Sequence, residues 1–265
     1  MLKSKLLRNN PEVESSEKFF NSHDGIRLNS TTWSPDVEPN GIISLVHDFG
    51  EHIGRYNNLA NKLATKGFIV RGFDFRGHGR SEGKKRQCGG FHKMISDLEL
   101  FLMLCDKEFE DIPHFIYAQG FGATIVLNYA ANHIFITSGI IITSPWFELT
   151  KKKSFLGMML LSLISVFFPS FQMSIKFRAE DMSRDLRMVH NYRVDPLIHK
   201  KISIRLLLET IDAGIKASMS IYKINNPLLV MHGTDDRITS CKSSRNFVRN
   251  SGNKTSYIEW EGGVS

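Results

Sequence analysis

The sequence predicts an α/β fold with a mainly parallel sheet, helices on both faces and an all-helical insertion at residues 146–222. Two patterns point there. From residue 41 to Pro145, short apolar runs bounded by turn residues alternate with segments of helical periodicity. After Pro145 that rhythm stops, then resumes at "NPLLVMHG". The expected organisation is therefore a core in two pieces, 1–145 and 223–265, with a helical cap at 146–222 between them.

The elements follow in order. "EKFFNSHDGIRLNSTTWSP" reads as two short strands around an Asp-Gly turn, a hairpin. "GIISLVHDF" (41–49) is apolar on both faces of a strand, as a buried parallel strand must be. "RYNNLANKLATK" puts Leu59, Ala60 and Leu63 on one helical face and stops at Gly67 as a C-cap. "FIVRGFDF" is the next strand, "RGHGRSEG" a loop and "FHKMISDLELFLMLCDKEF" a helix. The strand "HFIYA", a helix opening at Phe121 and the strand "GIIITSP" complete the first piece. The second holds "NPLLVMHG", a helix around "SCKSSRNFVRN" and the strand "TSYIEW".

Composition excludes several classes. A chain of 265 residues, 42% hydrophobic and 23% charged, has the make-up of a globular protein with a large core. Its formal charge of +7 suits an acidic surface such as a membrane, but no arginine-rich run or nucleic-acid module is present, so no nucleic acid is expected. Cys88, Cys105 and Cys241 lack zinc or disulfide spacing, and no H-E-x-x-H occurs, so neither a metal nor a cofactor is expected. With no secretory run near Met1, the expectation is a cytoplasmic protein. The uncharged stretch from Ser154 to Ile175 follows Lys151, Lys152 and Lys153, and Pro169 interrupts it. Too short to span a bilayer, it reads as a buried or interfacial helix.

The chemistry turns on "YAQGFGA" (117–123), where strand, glycine-rich corner and helix give the setting of a nucleophile elbow. Against the template G-x-S-x-G, the five residues here are Ala118, Gln119, Gly120, Phe121 and Gly122. Only the last glycine matches. Thr124 is the nearest hydroxyl, one helical turn away, and no second G-x-S-x-G exists in the chain.

Together with the corner, "HDFGEHIGRY" (47–56), "FDFRGHGRSEG" (73–83), "SPW" (144–146), "DPLI" (195–198) and "HGTDDR" (232–237) resemble the monoglyceride lipase and lysophospholipase group of α/β hydrolases. The resemblance runs in order along nearly the whole chain. It implies an α/β-hydrolase fold whose nucleophile position is Gly120, whose acid is Asp236, with Asp235 as the second choice, and whose oxyanion donors are the backbone N–H groups of Phe49 and Phe121. A carboxylate that merely caps the following helix is the alternative for Asp236. His52 and His78 belong to family loops and are expected to be structural. The family histidine falls at Ser265, and the helix expected after it is missing, leaving a sheet face uncovered. The expected protein is an inactive homologue that keeps a lipid or monoacylglycerol pocket and touches membranes through its cap. Residual ester hydrolysis and a protein-binding role are the other readings, with no protein partner identified.

Overall fold

The computed structural model describes residues 13–150, 154–175, 177–251 and 254–264. Lys151–Lys153 and Ser265 lie outside the described residues, and with them the basic leader of the cap segment and the histidine position. The hairpin is present as β1 (Glu14–Asn21) and β2 (Arg27–Ser34), paired antiparallel. Five further strands in the order of the sequence reading are β3 (Gly41–Val46), β4 (Phe68–Phe73), β5 (His114–Gln119), β6 (Gly139–Thr143) and, after the insertion, β9 (Leu228–Gly233). With β10 (Thr255–Trp260) they form an eight-stranded sheet in the order β1-β2-β4-β3-β5-β6-β9-β10. From β4 to β10 every neighbouring pair is parallel.

Strand alternation sorts the core. On β3, Ile43 and Leu45 face α1 (Asn57–Ala64), where they pack with Trp33, Ile53, Ala60 and Val70. Ile42 and Val46 face the other side, where α2 (Phe91–Glu108), α3 (Gly120–Asn132), α7 (Ile204–Ser218) and α8 (Cys241–Arg249) cover the sheet. Gly67 has φ of +89° and its N–H bonds to Ala64 O, ending α1 where the sequence marks a cap. At the β10 edge, Ile258 and Trp260 are exposed, and Tyr117, Ile141 and Met231 on the adjoining strands are half-buried.

The insertion is not wholly helical. It holds α4 (Phe155–Phe167), α5 (Ala179–Met182) and α6 (Leu186–Val194), but also a ribbon of β7 (Gln172–Ser174) and β8 (Lys201–Ser203). Each strand is too short to show alternation, which hides both from a periodicity argument. Their pairing brings Pro169–Ile175 back against the start of α7, with Ile175 N–H donating to Lys200 O and Ile204 N–H to Phe171 O. Ser203 then caps α7 by accepting from Leu206 N–H. Because α7 lies against α3, α2 and α8, it covers the sheet as well as continuing the insertion.

Candidate active site

In an open α/β sheet, ligands bind beyond the carboxyl ends of the strands. There β5 breaks at Gln119, and Gly120 starts α3 with φ of +56°, a left-handed geometry that only glycine adopts without a Cβ clash. The corner therefore has the shape of an elbow and no side chain. Thr124 does not substitute for one: it is fully buried, donates to Gly120 O and accepts from Trp146 N–H at 3.0 Å.

Space over Gly120 is already filled. A Cβ placed on Gly120 would overlap the Asp48 carboxylate, at its Cγ and Oδ1 first. Asp48 Oδ1 accepts from Phe49 N–H at 2.7 Å and from Phe121 N–H at 2.6 Å. These are the two backbone donors that the sequence reading marks for an oxyanion. They do converge on one point, and a carboxylate oxygen occupies it.

Asp48 is 1% exposed. Burial raises its pKa well above the carboxylate range, the Glu51 and Asp236 charges push the same way, and the two N–H bonds oppose them. Its loop is held from both sides. His47 donates from Nδ1 to Asp48 O at 2.6 Å and accepts Phe75 N–H on Nε2 at 3.0 Å, so its neutral tautomer is fixed, and burial lowers its pKa further. Glu51 Oε1 accepts from both Asp48 N–H at 3.2 Å and Tyr56 Oη at 2.6 Å.

Asp236 stands in the turn after β9, within electrostatic reach of Asp48. Its Oδ1 accepts from Ile238 N–H and Thr239 N–H, and its Oδ2 from Thr239 Oγ1 at 2.7 Å, with His232 Nε2 at 3.2 Å. Burial pushes this carboxyl up, but the bonds from His232 and Thr239 outweigh it and hold the pKa below its usual value. His232 Nδ1 meets Ser244 Oγ at 2.8 Å, so an Asp–His–Ser chain does exist in the protein. Ser244 is fully buried and His232 1% exposed, so the chain ties α8 to β9 with no access for a substrate. Neither His232 nor Asp48 stood out in sequence. Asp48 had one signal, an acidic residue directly before the Phe49 donor.

Asp235 lies outside this network, its side chain paired with Arg184 on the surface and its N–H bonded to Gly263 O. His52 pairs with Asp195 at 2.9 Å, joining the β3 loop to the end of α6. His78 is buried against Cys88 and His199. No group of acidic, histidine and cysteine side chains among the described residues has the geometry of a metal site.

A cavity of about 560 Å³, walled by Trp146, Leu149, Met158, Leu207, Ile211 and Met219 among others, meets the corner through Trp146, whose backbone N–H donates to Gly120 O. That volume falls within the range of about 300–1,000 Å³ typical of small-molecule sites. The Trp146 ring packs edge-on against Phe121 and lies near Phe49, so one side chain borders both the cavity and the filled donor pair.

Comparison with known proteins bears on family and fold. The family model described as serine aminopeptidase, S33, matches residues 37–263. An uncharacterised abhydrolase domain-containing protein of Dictyostelium discoideum is 31% identical over 89% of this chain, which spans only 25% of that protein. A monoacylglycerol lipase of Mycolicibacterium smegmatis is 27% identical over 88% of this chain and 83% of its own length. The crystal structure of a soluble variant of monoglyceride lipase from Saccharomyces cerevisiae, solved with a substrate analog, superposes with a TM-score of 0.79 at 23% identity, covering 99% of this chain and 89% of that one.

Proposed function

Since the chain belongs to the serine aminopeptidase S33 family of α/β hydrolases and is monoglyceride lipase-like, we propose that it binds a single-chain neutral lipid such as a monoacylglycerol and does not hydrolyse it. The observation that carries this reading is Gly120 with the Asp48 carboxylate seated over it. Serine hydrolysis needs a nucleophile, a base and free oxyanion donors, and the residues act as a unit. Here the elbow has no hydroxyl, and Asp48 already uses both donors. The cavity walled by Trp146, Leu207 and Met219, together with the names of the lipase relatives, supports a lipid as the ligand.

Incubating the full chain with 1-oleoylglycerol reads both halves of the proposal. The expected outcome is saturable binding with the lipid recovered intact, at a rate of fatty-acid release equal to buffer alone. Release that scales with protein concentration would instead support a residual ester hydrolase.

The cap is assigned a membrane contact on its exposed residues. Leu156, Met159, Leu160, Leu163, Val166 and Phe167 recur at helical spacing along α4 and are all exposed, as are Phe168 and Phe171 just beyond it. Such a face lies in the headgroup boundary of a bilayer. At 13 residues α4 is about 20 Å long, and among the described residues no helix is long and apolar enough to cross a membrane. Leu160→Ser with Leu163→Ser should weaken binding to phosphatidylcholine–phosphatidylserine vesicles, read by co-sedimentation, by about a hundredfold, given about 1.5 kcal/mol or more per buried leucine. Unchanged sedimentation would remove the membrane role from α4.

A further inference from the structure

The filled donor pair bears on which lipid is chosen. Phe49 and Phe121 N–H groups would meet the carbonyl oxygen of a bound ester, because two converging backbone donors are what a developing oxyanion or its parent carbonyl requires. Asp48 Oδ1 satisfies both, at 2.7 and 2.6 Å. Tethered one residue from Phe49, Asp48 competes for this place intramolecularly, whereas a lipid carbonyl competes from solution. The oxygen cannot simply slide aside. Asp48 is 1% exposed, its loop is locked by His47, Glu51 and Tyr56, and Gly120 lies directly beneath the carboxylate.

We propose that Asp48 is a ligand-specificity residue, whose carboxylate fills the carbonyl site from within, so that the pocket selects a lipid by its chain and hydroxyl groups and takes ester-linked and ether-linked monoglycerides alike. This rests on the lipid-binding reading. Trp146 links cavity and corner, since it walls the one and packs on Phe121 in the other, and the hydroxyls of Thr210, Ser218 and Ser243 line the same cavity as acceptors for a ligand hydroxyl. The cavity thus has hydroxyl partners of its own while the pair over the elbow is closed.

The test compares 1-palmitoylglycerol with 1-O-hexadecylglycerol on the full chain by titration calorimetry, in wild type, Asp48→Gly and Asp48→Asn. In wild type and Asp48→Asn, where an Oδ1 acceptor remains, the two Kd values should agree within about twofold. Asp48→Gly frees both N–H groups, and at about fivefold per hydrogen bond the ester should then bind at least about fivefold tighter than the ether. A wild-type preference for the ester of tenfold or more would overturn the assignment, as would an unchanged ratio in Asp48→Gly.

A second readout is independent of any lipid. The amide proton of Phe121, 73 residues from Asp48 in sequence, should titrate with the Asp48 carboxyl in wild type and lose that titration in Asp48→Asn. A Phe121 amide indifferent to the substitution overturns the Asp48 contact itself. If the amide responds but neither lipid binds any variant, the lipid-binding reading fails, and the specificity role falls with it while the contact stands.

Discussion

Gly120→Ser is expected to destabilise the protein by about 3 kcal/mol or more, and Asp48→Gly to rescue part of that loss. Two costs add. A side chain at φ of +56° carries about 1–2 kcal/mol of backbone strain. Forcing Cβ and Oγ into the Asp48 carboxylate adds about 1–3 kcal/mol of overpacking. Asp48→Gly alone also costs stability, since it leaves the Phe49 and Phe121 N–H groups to water or to nothing. In the double variant the collision is gone and only the strain remains, so the two losses should fall short of additivity by about 2 kcal/mol. Urea melts of the four proteins measure this directly. Additivity within about 0.5 kcal/mol would mean that Asp48 does not sit over Gly120.

Asp48→Asn should become more stable than wild type as pH rises above about 4. Sign follows from linkage. Burial, with Glu51 and Asp236 nearby, raises the folded-state pKa of Asp48 above its unfolded value near 3.9. The folded state then binds the proton more tightly. The stability Asp48 contributes is complete below the unfolded pKa and is lost as pH rises through the folded one. Asparagine keeps an acceptor for both N–H groups and has no charge to bury, so its melting temperature is free of that loss. The gap should be smallest near pH 3–4 and widen by about 1.4 kcal/mol for each pH step of one until the folded pKa is passed. Parallel stability curves for the two proteins between pH 4 and 8 would contradict a buried, perturbed Asp48.

Local sequence made the sheet and its helices legible because their signals are local. "FIVRGFDF" and "HFIYA" have the apolar runs of doubly buried strands, and "FHKMISDLELFLMLCDKEF" has the helical period with Phe91, Met94, Leu98, Phe101, Leu102 and Cys105 all buried. The ribbon of β7 and β8 was not legible, since each strand has three residues and their pairing spans α5 and α6. At the site, the missing side chain of Gly120 could be read directly. The occupant could not, because the contact of Asp48 with Phe121 crosses 73 residues and depends on the β3 and β5 ends lying side by side. Asp236 shows the same limit. Its motif marks a carboxylate in the turn after a late strand, while its bonds to His232 and Thr239 emerge only once that turn folds.

This hydrolase fold is proposed to carry no serine-type nucleophile. Incubation of the full chain with an excess of a fluorophosphonate probe, read by intact-protein mass spectrometry, tests it most directly. The mass should be unchanged at saturating probe, under conditions that fully label an active serine hydrolase. One covalent adduct per chain, mapped to any hydroxyl side chain, would contradict it.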